Sequence, residues 1–318
     1  MMDLGPALTN ARARRTPAGP GRLTCNHERR YPLALHDGRR RGRRLPDEQR
    51  SHAGDRRRAA AGDEPYSAEE VARRKERYLH FLEHDSRGAW VAVYDDRVAG
   101  VALALVREGV WVLSLFAVAE EYRNDGLGKE LLDRTLLYAE GCRGAMIASS
   151  VHPAAMRRYA LAGFSLQPTL MAGGKVRRES LPAGLKAREG AAADLELAAK
   201  VDRLVRGAPH GLDLEFMLRT GSRLLVVEGS SGQGYVVVWE GSPALLAATA
   251  PETAADLLWS CLAESGGSDA EVQWITNAQN WALPVALGAG LSLSPAGPIC
   301  VRGELGPLTP YLPSGPFL

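Results

Sequence analysis

Residues 110–140 constrain the fold more than any other part of the chain. Val110 to Val118 is an apolar run with one polar side chain, Ser114. Apolar on both faces, it reads as a strand inside a sheet. From Glu130 to about Glu140, Leu131, Leu132, Thr135, Leu136 and Ala139 share one face of a helix. Between strand and helix lie Arg123, Asn124, Asp125, Gly126, Leu127, Gly128 and Lys129. A glycine-bearing turn from strand to helix aims backbone N–H groups at one spot and suits an anion such as a pyrophosphate. Gly126 and Gly128 allow close backbone approach. Arg123 and Lys129 add charge, or are simply solvated surface residues. The spacing is neither a P-loop nor a full dinucleotide fingerprint, so its meaning depends on its surroundings.

Those surroundings are ordered in a definite way. Ser67 and Glu70 form a capping box, in which each side chain satisfies the other's backbone N–H. Val71, Tyr78 and Leu82 follow at helical spacing and predict a helix over about 68–84. Ala89–Tyr94 and Val98–Leu105 read as a hairpin around Asp95. After the glycine turn and its helix come a strand at Gly144–Ser150 and a short helix from Pro153 to about Ala162. Gly163 stops that helix, and Phe164–Pro168 is extended.

This order of elements resembles the GNAT acetyltransferases over roughly residues 67–175. Two motifs carry the likeness: R-x-x-G-x-G from Arg123 to Gly128, and A-x-x-x-Y-x-x-x-G-F from Ala155 to Phe164. The resemblance implies acetyl-CoA as acyl donor, with no metal. It implies that Arg123, Asn124, Asp125, Gly126, Leu127, Gly128 and Lys129 cradle its pyrophosphate. Phe116 and Val118, on a strand that splays from its neighbour, would meet the pantetheine. Tyr159 matches the tyrosine that often protonates the departing thiolate; as residues alone, it is equally a core aromatic. The family often carries a carboxylate on the motif strand, where this chain offers only Ser114. Glu108 and Glu120 flank the strand, and the general base stays unassigned. His152 stands where the family often has Asn, and reads as a surface or capping histidine.

Residues 1–65 are of another kind. They hold fifteen Arg, no Lys and eight acids, a formal +7, which leaves −5 for the rest of the chain. They contain no Val, Ile, Phe or Trp, the residues that supply strand propensity and core area. Disorder is the expectation. An Arg-rich nucleic-acid tail is the alternative, disfavoured because no aromatic residues interleave the charge and the body is acidic. The abrupt onset of pattern at Ser67 motivates a third reading: the family's first strand and helix are lost through a shifted frame or altered start.

The second half repeats the order of the first. A linker over 171–185 and a possible strand at Leu185–Arg188 lead to a helix at Ala193–Arg206. A hairpin of Arg223–Glu228 and Gly234–Trp239 follows, then a strand at Pro243–Ala248 and a helix at about 252–264. Glu271–Thr276, a short helix at Asn280–Leu287, and Gly290–Leu293, which echoes Gly163–Leu166, complete the unit. Its counterpart of the glycine turn, Thr249–Ala255, has no glycine and carries Glu252; Ala286 stands at the tyrosine position. Acyl-CoA binding is therefore not expected there. Pro209–Gly211 and Pro310–Gly315 read as surface loops.

The expected architecture is α/β (α+β): a mixed, mostly antiparallel sheet flanked by helices, duplicated in tandem. Its segments are 1–65, a GNAT-like domain at 66–175, and a degenerate copy at 176–318. No apolar run approaches the roughly 20 residues of a membrane helix. No secretory signal is apparent, and Cys25, Cys142, Cys261 and Cys300 fit no zinc or disulfide framework. A cytoplasmic location is expected. The predicted function is acetyl transfer to an amine of a small molecule or protein. A non-catalytic acyl-CoA-binding or regulatory protein is the alternative, and a homodimer is left open.

Overall fold

The computed structural model describes residues 67–94, 97–123 and 126–318. The readings made for residues 1–65 lie outside the described residues, as do Asn124 and Asp125. The chain forms two compact units. The first comprises the described residues up to Leu105 together with Leu115–Glu140; the second comprises Val106–Ser114 and Gly141–Leu318.

In the first unit, helix α1 (Ala68–His84) starts at the expected capping box. The Ser67 N–H donates to Glu70 Oε2 at 2.8 Å, and the Glu70 N–H donates to Ser67 Oγ at 3.2 Å. The bond from the Ser67 backbone holds the Glu70 carboxyl below its ordinary range. Strand β1 (Ala89–Tyr94) pairs antiparallel with β2 (Arg97–Arg107), as the alternating pattern requires. Strand β3 (Val110–Val118) matches its expected bounds and ends in this unit. Helix α2 (Leu127–Leu137) buries Leu131, Leu132 and Thr135. Ala92, Ala99, Ala102 and Leu131 form a small core, lined by Trp90, Phe116, Val118 and Leu127.

Helix α2 begins three residues before the expected Glu130. The N–H groups of Lys129 and Glu130 both donate to the Gly126 carbonyl, so the helix grows directly from the glycine. Leu127 lies one turn before Leu131 and belongs to the same apolar face, a signal hidden among the glycines.

The second unit contains the start of β3, then β4 (Gly144–Ala148), α3 (Pro153–Leu161) and β5 (Ser165–Lys175). It continues with β6 (Arg188–Glu189), α4 (Leu195–Val205), α5 (Leu212–Arg219), β7 (Arg223–Gly229), β8 (Gly232–Trp239) and β9 (Ser242–Ala248). Helix α6 (Pro251–Ala263), β10 (Asp269–Thr276), α7 (Ala282–Gly288), β11 (Ser292–Gly303) and β12 (Tyr311–Leu312) complete it. Strands β3, β4, β11, β5 and β10 lie side by side in that order; β3 and β4 are parallel, the other pairs antiparallel. A second, antiparallel sheet runs β12-β9-β8-β7-β6. Leu257, Leu258, Cys261 and Leu262 of α6 fill the core against Val236, Leu246, Val272 and Ile275. The fold is the expected mixed, mostly antiparallel α/β type, and the second sheet suggests the tandem arrangement.

Three expectations need correction. Strand β5 runs to Lys175, into the expected linker, because Ala172 and Gly173 pair with β10 on one side and β11 on the other. Ladder hydrogen bonds on both edges outweigh the poor strand propensity of glycine. Helix α5 was not foreseen. The loops expected at 209–211 and 310–315 are not surface loops: His210 is fully buried, and Tyr311 and Leu312 are 1% exposed. His210 tolerates burial because Asp202 Oδ2 lies 2.8 Å from its Nδ1 and the Tyr311 hydroxyl lies 3.3 Å from its Nε2.

Candidate functional site

The turn before α2 is shaped by one backbone angle. Gly126 has φ +80° and is the N-cap of α2, with no side chain closing the helix end. A Cβ added to it would meet nothing within 4 Å. The Lys129 N–H is taken by the Gly126 carbonyl, which leaves the N–H groups of Leu127 and Gly128 without an intrahelical acceptor, beside a backbone angle that only glycine adopts without strain. That is a fit for a pyrophosphate.

Gly128 is different. A Cβ there would lie 3.7 Å from Val118 Cγ2 and 3.8 Å from Phe116 Cζ, so this glycine faces the strand and not the opening. Phe116, Val118, Leu127 and Gly128 are thus brought together at the base of the turn. The Arg123 Nε donates to the Val118 carbonyl at 3.3 Å, and the residue is exposed. Lys129 pairs with Asp133 at 2.6 Å, but both side chains are more than half exposed. Such a pair contributes little to stability and leaves the ammonium hydrated.

Strand β3 has a second feature. Its parallel register with β4 runs from Val110 opposite Gly144 to Leu113 opposite Ile147 and stops there, although β3 continues to Val118. Ser114–Val118 are half-buried and lie outside that register. Strand edges of this kind offer backbone N–H and C=O groups to an extended ligand. Of the two flanking acids, Glu108 is committed elsewhere: Arg203 donates to both its oxygens, at 2.9 and 2.6 Å, and these bonds hold its carboxyl below the ordinary range. Glu120 is exposed in a single turn of 3₁₀ helix.

Tyr159 belongs to the second unit and sits on α3, 4% exposed. Burial pushes its hydroxyl well above the ordinary tyrosine range, and Cys300 adds to the shift. His152 is at the N-cap of α3, exposed, with no capping hydrogen bond from its ring. Among the described residues no cluster of three His, Cys, Asp or Glu side chains could hold a metal.

Sequence reasoning missed a buried polar cluster in the second unit. The Tyr235 hydroxyl donates to Asp202 Oδ1 at 2.6 Å, and Asp202 also holds His210. The available signal was Asp202 itself, an acid on the apolar face of α4 beside Ala198, Val201 and Val205. Arg107 and Asp213 form a separate bidentate pair, both bonds 2.7 Å, with the Asp213 side chain fully buried.

The second repeat has no comparable opening. Its turn leads to Pro251 at the start of α6, with Glu252 in the first helical turn. The end of β9 is taken by the chain's own tail: Tyr311 and Leu312 pair with Ala247 and Leu246, and the Ala248 N–H donates to the Pro310 carbonyl at 3.2 Å. Gln279 fastens this strand, accepting from the Tyr311 N–H at 2.9 Å and donating to the Leu308 carbonyl at 2.5 Å. Ala286, at the tyrosine position, is buried in the core.

Residues 55–164 match the family model described as the acetyltransferase (GNAT) family. Among solved structures, a protein of Pyrococcus horikoshii assigned as an acetyltransferase aligns with TM-score 0.63 and 18% identity, over 79% of this chain and 85% of its own. GCN5-related N-acetyltransferases of Kribbella flavida and Sphaerobacter thermophilus each align with TM-score 0.50 and 16% identity. The first covers 78% of this chain and 68% of its own; the second covers 77% and 89%. At these identities the likeness concerns the fold. No curated protein matches the chain in sequence.

Proposed function

Residues 55–164 are a domain of the GNAT acetyltransferase family, and on that premise we propose that the chain is an acetyl-CoA-dependent N-acetyltransferase acting on an amine of a small molecule or protein. Acyl transfer is the chemistry of the family; the acetyl donor and amine acceptor are the finer reading. The observation that carries it is the conjunction at the end of β3. A strand that leaves its parallel register runs into a left-handed glycine N-cap with open space before it.

In this reading the N–H groups of Leu127 and Gly128, at the start of α2, hold the pyrophosphate. Arg123 and Lys129 add positive charge beside it. Ser114–Val118 offer backbone groups to the pantetheine, with Phe116 and Val118 as its apolar wall. When bound, acetyl-CoA would supply an acetyl thioester to a neutral amine: the carbon–nitrogen bond would form as the carbon–sulfur bond breaks, and the nitrogen would release one proton to solvent. A tyrosine hydroxyl, ordinarily about 10, is protonated at neutral pH, and burial raises that of Tyr159 further. In this reading Tyr159 donates its proton to the departing sulfur as the carbon–sulfur bond breaks and regains one from solvent. A location in the cytoplasm suits Cys142, Cys261 and Cys300, which are all free.

A second reading is a protein that binds acyl-CoA without turnover. The absence of a carboxylate from β3 favours it. Calorimetry with acetyl-CoA, followed by turnover over a panel of amines, separates the two. Binding with release of free thiol supports the transferase. Binding without turnover on any amine supports the second reading. No binding by the folded chain sinks both.

A further inference from the structure

Strand β11 belongs to the second repeat, yet it lies between β4 and β5 of the first. It meets the segment that leads into α3, the helix of Tyr159, and the C-cap residue of that helix. Opposite β4, its register ends with Ile299 facing Ala148. Opposite β5, Ala296 faces Thr169 and Ile299 faces Gln167, so Gly297 and Pro298 stand against the single residue Pro168. This is a β-bulge, a device that re-aims a strand locally.

The bulge meets the segment leading into α3. The Ser149 N–H donates to the Pro298 carbonyl at 3.0 Å, and the buried Thr169 hydroxyl donates to the Gly297 carbonyl at 2.8 Å. A Cβ on Gly297 would lie 1.9 Å from the Ser149 carbonyl oxygen, so only glycine permits the approach. At the other end of α3, Arg302 Nη1 donates to the carbonyl of the C-cap residue Ala162 at 3.0 Å. The same guanidinium lies 4.8 Å over the Phe164 ring. A cation at a helix C-terminus stabilises that end. Between these anchors, Cys300 is close enough to influence Tyr159.

We propose that β11 is the second repeat's contribution to the transfer site: through the Gly297–Pro298 bulge and Arg302 it fixes α3, and Gly297, Thr169 and Arg302 are positioning residues for Tyr159. The inference rests on the reading of Tyr159 as the proton donor. It explains why a repeat with a closed cleft stays joined to the first: it supplies a strand and leaves the cofactor chemistry to the other copy.

The test is a double-mutant cycle in the full chain. Arg302→Met keeps an aliphatic side chain and removes both the donor to Ala162 and the cation over Phe164. If it acts through Tyr159, kcat falls about 10- to 100-fold, while the acetyl-CoA Kd stays within about twofold, because Arg302 is not among the residues assigned to the pyrophosphate. Arg302→Lys recovers part of the loss. In a Tyr159→Phe background the same substitution has no further effect on kcat, since residues acting as one unit are not additive. An equal fall in kcat in both backgrounds, or an unchanged kcat in the single variant, overturns the proposal. Should Arg302→Met not fold, Thr169→Val tests the other anchor with the same readouts. Tyr159→Phe alone reports on the underlying assignment: if it leaves kcat unchanged, the proton-donor role has failed, whatever the Arg302 arms show.

Discussion

Gly126 and Gly128 are two residues apart, and the structure predicts opposite consequences for changing them. An alanine at Gly126 must hold φ near +80°, a strain of about 1–2 kcal/mol. It meets no steric obstacle. An alanine at Gly128 has no such strain and makes ordinary contact with Val118 and Phe116. Gly126→Glu adds a carboxylate to the open side. At about 5 Å from one phosphate charge, the repulsion is roughly 3 kcal/mol at an effective dielectric constant of about 20 and roughly 0.8 kcal/mol in bulk water. Gly126 is exposed, so about 1–2 kcal/mol is expected, or roughly 5- to 30-fold weaker acetyl-CoA binding. Calorimetry at low salt reads the Kd, and a melting curve reads the strain. Gly126→Ala should melt a few degrees lower and bind within about threefold of the parent. Gly128→Ala should match the parent in both. The Glu penalty should shrink as salt rises from about 0.1 to 1 M and the screening length falls from about 10 to 3 Å. Parent-like affinity of Gly126→Glu at low salt, or a greater loss in Gly128→Ala, would refute the phosphate placement.

Three further outcomes follow from the geometry. Tyr159→Phe should lower kcat about 100-fold or more with little change in acetyl-CoA Kd; steady-state kinetics check it, and an unaltered kcat removes Tyr159 from the chemistry. Asp213→Ala strands the Arg107 guanidinium in the interior and should destabilise the protein by about 3–5 kcal/mol; a urea midpoint unchanged within error contradicts it. Stability should also decline with rising pH from about 8.5, where unfolded thiols ionise. Burial pushes the Cys300 thiol up to about 12 and raises Cys261, Tyr159, Tyr235 and Tyr311 as well. Each of these groups keeps its proton in the native state, so its contribution is full below the unfolded value and lost as pH climbs toward the folded one. Urea midpoints at pH 7, 9 and 10.5 test this, and a flat series is incompatible with it.

Sequence alone located every major local element of the first repeat. Two β-rich runs around a turn marked β1 and β2, a continuous apolar run marked β3, and the capping box marked the start of α1, because these signals depend on near neighbours. It singled out the glycine turn before α2, but gave both glycines one role. Their difference depends on where each Cβ would point, and only the packing of Phe116 and Val118 decides that. The helix start at Leu127 was obscured for the same reason: glycine supplied the N-cap without a capping side chain.

The long-range order was not legible. Nothing in Ser292–Gly303 says that it enters the sheet between β4 and β5, since strand partners separated by more than a hundred residues leave no periodicity behind. Tyr311 and Leu312 looked like loop because two residues between prolines carry no strand pattern; the free edge of β9 makes them a strand. His210 looked like a surface residue until Asp202 and the Tyr311 hydroxyl satisfied its nitrogens in the interior. Local chemistry in the chain marked the helices and strands of the first repeat and drew attention to the glycine turn. Which strand lies beside which, and that the tail covers the edge of β9, were settled by tertiary pairing. There the ladder hydrogen bonds and burial of distant partners outweigh local propensity.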